Sequence, residues 1–468
     1  MTIKQRVIFV AAECSPLVKV GGLADVVGSL PLALRKNGIE VEIILPYYKQ
    51  IKKIKTAKLW RKNISLNTKI KPNKFSVYQT SLPNSNIKIY LIKHPQISSA
   101  SQVYFDKPNL NQQRFAVFSL AAATLINKLK TKPSVVHLHD WHSALIPTLF
   151  ELEQISIPTI LTIHNLSSQG IWLIKKVRKI IPNFTVSNHR GSINFLAEGI
   201  KKANIITTVS PSYAKEILTP KYGFGLDKIL KRRKNDLYGI INGIDYQYFN
   251  PATDNKIFNN YSINNLNKKQ TNTLLLKKEL GLQESSAPLL GVVSRLFPQK
   301  GLDLLAETLP QIIKYDWQFV LLGTGQKSLE NKFKKLAKSY PQKIKAIIDF
   351  DPVLAQKIYA GSDIFIIPSR FEPCGLTQMI AMRYGAVPLA RATGGLKDTI
   401  VPHPAKNSTG FLFCKPSSTA LRLAIVKSLK VFNNKTNWRN LQKRAMQQDF
   451  SWNKPAQSYI KLYKQLIK

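Results

Sequence analysis

The most specific chemistry in this sequence lies in Pro368-Ser369-Arg370-Phe371-Glu372-Pro373-Cys374-Gly375-Leu376-Thr377-Gln378. A carboxylate at Glu372 accepts hydrogen bonds from sugar hydroxyls. The N–H groups of Gly375, Leu376 and Thr377, where a helix begins, suit a phosphate. Cys374 would need an adjacent base to act as a nucleophile, and the sequence places no histidine there, so packing is its expected role. Thr393-Gly394-Gly395-Leu396 forms another glycine turn further on. In Ser294-Arg295-Leu296-Phe297-Pro298-Gln299-Lys300-Gly301, Arg295 and Lys300 follow a strand and precede a helix. Two cations beside a helix start make a diphosphate site, and a solvated basic loop is the rival reading.

Two other segments carry glycines and histidines. In Lys19-Val20-Gly21-Gly22-Leu23-Ala24-Asp25, the adjacent glycines let backbone N–H groups approach an anion and Lys19 adds a charge. The spacing is not GxGxxG, and a tight strand-to-helix turn explains it equally well. His137-Leu138-His139-Asp140-Trp141-His142 invites a metal reading, and strand alternation puts His137 and His139 on one face. No second ligand cluster is evident, so no metal is expected and a polar rim for sugar hydroxyls is preferred. His137 could equally be a buried, hydrogen-bonded histidine. His164, in Thr162-Ile163-His164-Asn165, lies at another strand end, which makes a ligand role as plausible as a structural one.

These segments need strands and helices to hold them. Short apolar runs at Val7–Ala12, Glu40–Leu45, Val135–Leu138, Thr159–Ile163, Ile205–Val209 and Tyr238–Ile241 read as buried strands, with a helix through Ala24–Lys36 after the first. Residues 251–274, rich in Asn, Lys, Thr and Ser, read as a linker or a poorly packed excursion. The alternation then resumes. Strands are expected at Leu289–Ser294, Gln318–Leu322, Ala346–Phe350 and Ile364–Pro368. Helices are expected at Leu302–Lys314, 326–339, 353–360 and Thr377–Tyr384. Buried runs alternating with helices predict parallel sheets, here two in tandem of about 240 and 200 residues. Ligands of such sheets bind outside the carboxyl ends of the strands, where the polar segments above fall, and a cleft between two such domains is the expected site.

Composition narrows the setting. The chain carries 69 Lys+Arg against 26 Asp+Glu, a net charge of +43. The basic residues are spread along the chain among abundant Asn and Ile. This reads as compositional drift in preference to a polyanion-binding stripe, and no specific nucleic acid is expected. Cys14, Cys374 and Cys414 are too few and scattered for a disulfide framework, which fits a reducing compartment. No apolar run approaches the ~20 residues that span a bilayer, and the N-terminal run is too short for a secretory signal. The expected protein is cytoplasmic, with no membrane partner.

The segments KVGGLADVVGSLP, HLHDWHSAL, TIHNLSSQG, VSPSYAKEI, INGIDYQYFNPATD, VVSRLFPQKGLDLL, PSRFEPCGLTQMIAMRYGAVPLARATGGLKDT and DFSW, in this order over nearly the whole chain, resemble the bacterial glycogen synthase and plant starch synthase family. That resemblance implies an α/β chain of the GT-B type, two Rossmann-like doubly wound domains facing a central cleft. Its domains would be an acceptor-side domain over 1–250, a nucleotide-sugar domain over 251–450 and a C-terminal helix over 451–468 returning to the first. It implies transfer of glucose from ADP-glucose to the non-reducing 4-hydroxyl of an α-1,4-glucan, glycogen or starch, with retention and without a cofactor.

By the same resemblance, Lys19, Gly21 and Gly22 would approach the diphosphate and the sugar, with Asp25 beside them. Arg295 and Lys300 would neutralise the departing diphosphate. Glu372 would hold the transferred glucose, and Gly375, Leu376 and Thr377 would give backbone donors. Asp140, His164 and Asn242 would line the sugar and acceptor side, and Phe350 falls where the family stacks an aromatic on adenine. The family's front-face mechanism needs no second carboxylate, and none pairs with Glu372 in the sequence. Three departures lie in the first domain: a shortened stretch at Tyr104–Phe115, Ser168 in place of a Tyr, and Ala197 in place of a Lys. The donor-side motifs are intact.

Overall fold

A computed structural model describes residues 5–51, 56–99, 102–185 and 191–467. The chain forms two compact units, Met1–Gly243 together with Trp452–Lys468, and Ile244–Ser451.

The first unit is built on nine strands: β1 (Arg6–Val10), β2 (Glu40–Pro46), β3 (Lys58–Ser65), β4 (Lys74–Ser81), β5 (Lys88–Lys93), β6 (Val135–His139), β7 (Thr159–Ile163), β10 (Ile205–Thr208) and β11 (Leu237–Gly239). A separate hairpin pairs β8 (Ile171–Leu173) with β9 (Ser192–Asn194). The sheet order is β11-β10-β7-β6-β1-β2-β5-β4-β3. The strands from β11 to β5 run parallel, and β4 and β3 extend the edge antiparallel. Central strands such as VVHLH and TILTI are buried along their whole length, as expected where helices cover both faces. The chain leaves β1 on one side for β2 and returns on the other as β6. The β1–β6 boundary is therefore the topological switch point, where ligands of such sheets bind.

The second unit repeats the plan with β12 (Leu289–Val293), β13 (Gln318–Leu322), β14 (Ile344–Ile347), β15 (Ile364–Ile367), β16 (Val387–Arg391) and β17 (Phe411–Phe413). All are parallel in the order β14-β13-β12-β15-β16-β17. Its switch point lies between β12 and β15. Its core packs Trp317, Phe319, Phe333 and Trp438 against the aliphatic strands.

Most expected elements form within a residue or two of the expected bounds. Three corrections have physical causes. The sequence pattern does not place strands β3, β4 and β5: lysines dilute the pattern of β3 at the sheet edge and of β4, where Phe75, Val77 and Thr80 are the buried positions, and the short buried run of β5, KIYLIK, is bounded by lysines at both ends. The strand expected at Ala346–Phe350 lies earlier, at Ile344–Ile347, and Phe350 falls in the loop after it. The 251–274 stretch is packed, not a loose linker. The helix Lys269–Glu279 begins inside it, and the buried Asn272 side chain accepts the N–H groups of Phe258 and Asn259 while donating to the Asn259 carbonyl at 2.8 Å. Asn-rich composition here supplies side-chain hydrogen bonds to irregular backbone, a need that sequence patterning does not reveal.

Candidate active site

At the switch point of the second unit, the loops after β12 and β15 bind one another. Gly301 has a left-handed φ of 64°, and a Cβ there would lie 2.0 Å from the Pro368 carbonyl oxygen, so only glycine admits this approach. The Arg370 N–H donates to the Gln299 carbonyl at 2.7 Å. Across this seam the Lys300 ammonium lies 2.6 Å from Glu372 Oε2, which also accepts from Ser369 Oγ at 2.9 Å. Arg370 forms a bidentate pair with Asp303, both contacts at 2.6 Å, which lowers the Asp303 pKa and raises that of Arg370. Glycines of the Thr393 turn close the other side. Gly395 N–H donates to the Glu372 carbonyl at 3.1 Å, and Cβ atoms at Gly394 and Gly395 would strike the Glu372 and Cys374 carbonyls.

Beyond Glu372 the chain turns through Gly375 (φ 72°) into the short helix Thr377–Arg383, which no side chain caps. The N–H groups of Gly375, Leu376 and Thr377 find no acceptor among the described residues. The buried Gln378 amide ties the turn by donating to the Cys374 and Gly375 carbonyls and to Thr399. Arg295 is exposed, makes no ion pair among the described residues, and lies 5.6 Å from the Phe297 ring centre. Phe350 stands at the carboxyl end of the edge strand β14 and is 74% exposed, the most exposed large apolar side chain described. This unit thus brings together Lys300, Glu372 and the Gly375 turn, with Arg295 at the mouth of the neighbouring loop.

The first unit's site residues gather on the β1, β6, β7 and β11 ends. Asp140 follows β6 with a left-handed φ of 56°, a conformation that Asp tolerates better than most residues. Its Oδ1 accepts the His164 N–H at 2.7 Å and, at the long limit of 3.4 Å, the Asn165 N–H. Burial pushes the Asp140 carboxyl up to about 7, against those hydrogen bonds. His139 Nδ1 lies 3.0 Å from His164 Nε2, and the buried His137 spans from the Tyr463 hydroxyl (2.8 Å) to Thr162 Oγ1 (2.6 Å). Burial holds the pKa of both His137 and His142 down to about 3, so these rings are neutral. Asn242 is buried after β11, with Oδ1 lacking any hydrogen-bond partner among the described residues.

The glycine turn after β1 is organised by a residue that sequence reasoning passed over. Glu13 is buried, and its Oε2 accepts the N–H groups of Val20 (2.6 Å) and Gly21 (2.9 Å). Its Oε1 accepts the Tyr104 hydroxyl at 2.6 Å. Two donors of the turn are therefore held by an internal carboxylate, and Lys19 pairs with Asp25 at 2.6 Å. A Cβ on Gly21 would meet nothing within 4 Å among the described residues, so their packing leaves open space in front of the turn. The signal was an acidic residue ending an apolar run where the next strand-end position should favour small or polar groups. The shortened Tyr104–Phe115 stretch is firmly held as well. Arg114, fully buried, donates to the Gln102 and Val103 carbonyls at 2.8 Å, and its guanidinium lies 3.9 Å from the Phe105 ring centre. Of the other departures, Ser168 is exposed and Ala197 takes the Asn194 cap at 3.1 Å.

Residues 6–232 match the family described as starch synthase catalytic domain, and residues 276–445 match glycosyl transferases group 1. Glycogen synthase of Fervidobacterium nodosum is 43% identical over 477 residues, covering 98% of each chain. Glycogen synthase of Thermotoga maritima is 42% identical over 483 residues, covering 99% of each. Among solved structures, the catalytic domain of starch synthase IV from Arabidopsis thaliana, bound to ADP and acarbose, superposes with a TM-score of 0.91 at 32% identity, over 99% of this chain and 100% of that one. Sucrose-phosphate synthase from Thermosynechococcus elongatus shares the fold, with a TM-score of 0.65 at 17% identity over 99% of both chains. Among the described residues no helix is long and apolar enough to cross a membrane.

Proposed function

This chain belongs to the bacterial glycogen synthase and starch synthase family, and from that membership we propose that its donor is ADP-glucose and its acceptor the non-reducing 4-hydroxyl of an α-1,4-glucan. It is a glucosyltransferase of glycogen or starch synthesis, with the two Rossmann-like units of a GT-B enzyme.

One observation carries the assignment of roles: the Lys300–Glu372 pair beside an uncapped helix start and the unpaired Arg295. Breaking the sugar–diphosphate bond releases negative charge. Arg295, Lys300 and the free N–H groups of Gly375, Leu376 and Thr377 stabilise that charge as it develops, which lowers the barrier without a metal in the scheme. Both hydrogen bonds to Glu372 fall on Oε2, which leaves Oε1 to a hydroxyl of the transferred glucose. The neighbouring carboxylate Asp303 is bound bidentately by Arg370, so it is a poor nucleophile for a double displacement. Retention then follows from attack on the face the diphosphate leaves, with the departing phosphate taking the proton of the incoming hydroxyl.

In the first unit, Lys19, Gly21, Gly22 and Asp25 serve the donor. Asp140, His164 and Asn242 serve the sugar and acceptor, and the unpartnered Oδ1 of Asn242 supports a ligand contact there. Phe350 stacks on the adenine. The reaction runs in the cytoplasm, where an exposed free thiol such as Cys414 persists. The test is incorporation of labelled glucose into glycogen from ADP-glucose and from UDP-glucose. Faster incorporation from ADP-glucose is expected, and a preference for UDP-glucose overturns the donor.

A further inference from the structure

Two stretches of the first unit contain no carboxylate at all: residues 43–105 and 154–197. The fold brings them together. The Lys69 N–H donates to the Lys179 carbonyl at 3.2 Å, joining the β3–β4 loop to the helix Ile174–Ile180. Lys69, Lys175, Lys176 and Lys179 are exposed and make no ion pair among the described residues. Unpaired lysines are common in a chain with 69 Lys+Arg and 26 Asp+Glu, and what sets this face apart is that neither stretch supplies a carboxylate, whereas elsewhere Lys202 reaches Glu151 and Lys357 reaches Glu279.

The same face presents aliphatic side chains to solvent. Strand β8 turns Trp172 inward and Ile171 and Leu173 outward, 56% and 45% exposed, and Leu110 nearby on the helix Pro108–Asn127 is 44% exposed. Between the two helices lies a recess of about 230 Å³, floored by Ile70, Trp172 and Ile180 and rimmed by Lys176 and Lys179.

We propose that this face docks on an anionic lipid surface, with Lys175, Lys176 and Lys179 meeting headgroup phosphates and with the apolar floor of the recess, together with Ile171 and Leu173, facing the acyl boundary. The combination selects the partner. A neutral glucan gains nothing from unpaired ammonium groups. A nucleic acid gains little from exposed aliphatic side chains and is usually met by Arg and aromatic stacking. An anionic bilayer uses both features, the cations at the headgroups and the aliphatic tips just beneath them. This is surface docking and involves no membrane-spanning segment. None of these residues belongs to the candidate active site.

The experiment is co-sedimentation of the full chain with phosphatidylcholine vesicles, with and without phosphatidylglycerol. Three forms are compared with the parent: K175Q/K176Q/K179Q, I171S/L173S, and a control of equal charge change on the other unit, K332Q/K334Q/K335Q. Glucosyl transfer by each shows that it is folded. Binding is expected only with phosphatidylglycerol. The first triple should lose it by about tenfold or more, and the control should retain it. The apolar pair should weaken it while leaving binding to a single-stranded oligonucleotide unchanged. Equal losses from both triples would reduce the face to general charge. Indifference to I171S/L173S would point to a nucleic acid. Failure to bind vesicles at all would leave an acidic protein as the partner. Each of these outcomes overturns the proposal.

Discussion

The two units share a sheet plan and solve opposite electrostatic problems at their switch points. In the first, the buried carboxylates bind backbone: Glu13 accepts N–H groups of the glycine turn, and Asp140 accepts those after β7, while only the more exposed Asp25 meets a cation, Lys19. The histidines around them are buried and neutral. In the second, the carboxylates bind cations across loops, Glu372 to Lys300 and Asp303 to Arg370. A backbone N–H satisfies a buried carboxylate without importing a second desolvated charge, so the first unit's arrangement is preorganised and rigid. A side-chain ion pair can be re-partitioned when a ligand of either sign arrives, which suits the departure of a diphosphate proposed for this site. The contrast teaches that similar topology fixes where chemistry sits, while the local partner of each charge decides what kind.

The largest effect that would sharpen this contrast is at Glu372. Replacing it with Ala should lower kcat by on the order of 10³-fold, as it removes the proposed sugar contact and leaves Lys300 without its anion. Thermal unfolding should move far less. Steady-state rates that stay near the parent value would break the assignment of the second unit as the chemical one.

Next in size is acid sensitivity of the first unit. Burial holds His137, His142 and His164 down to about 3 in the folded chain, against about 6.5 unfolded. Between those values the unfolded chain binds protons that the folded one refuses, so stability falls as pH drops below about 6.5. Asp140, pushed up to about 7, acts in the other direction, its contribution declining as pH rises from about 4 to about 7. Three such histidines, with His139 also lowered by burial, outweigh one carboxyl, so stability is lost on balance toward acid. Calorimetric Tm against pH measures it, and His142→Phe should flatten the slope.

At Asp140 the backbone adds to the electrostatics. Asp140→Ala loses the acceptor for the His164 N–H and places Ala in a left-handed conformation, for a cost of about 2 kcal/mol. Asp140→Asn keeps the acceptor and tolerates the φ, and should cost under about 1 kcal/mol. Denaturant titration distinguishes them, and equal costs would mean that the N–H bond contributes nothing. The smallest effect is expected at Phe350, whose Ala variant should raise KM for the donor by about tenfold, the value of one lost stacking contact. Its stability should be unchanged, since the ring is 74% exposed.

Much of this was legible in order of residues. Continuous apolar runs such as IFII announce strands buried on both faces, since only a covered parallel strand tolerates them. The glycines of the Gly301 and Gly375 turns mark places where the chain must adopt a left-handed φ or pass close to another backbone. The left-handed φ is a local requirement that local sequence encodes, whereas the backbone each glycine passes, such as Pro368 beside Gly301, is set by the fold. The 251–274 stretch shows the limit, because Asn-rich composition looks loose until Asn272 is seen holding the backbone of Phe258 and Asn259.

Tertiary structure alone decided the pairings. Lys300 and Glu372 are separated by 72 positions, and Glu13 and Tyr104 by 91. Nothing in either segment names its partner, because a hydrogen bond is a fact of distance and desolvation, and both arise only when the strands take their order in the sheet. The sequence determined which residues stand at the ends of strands; packing determined whether each charge there meets a backbone, a counter-charge or open solvent.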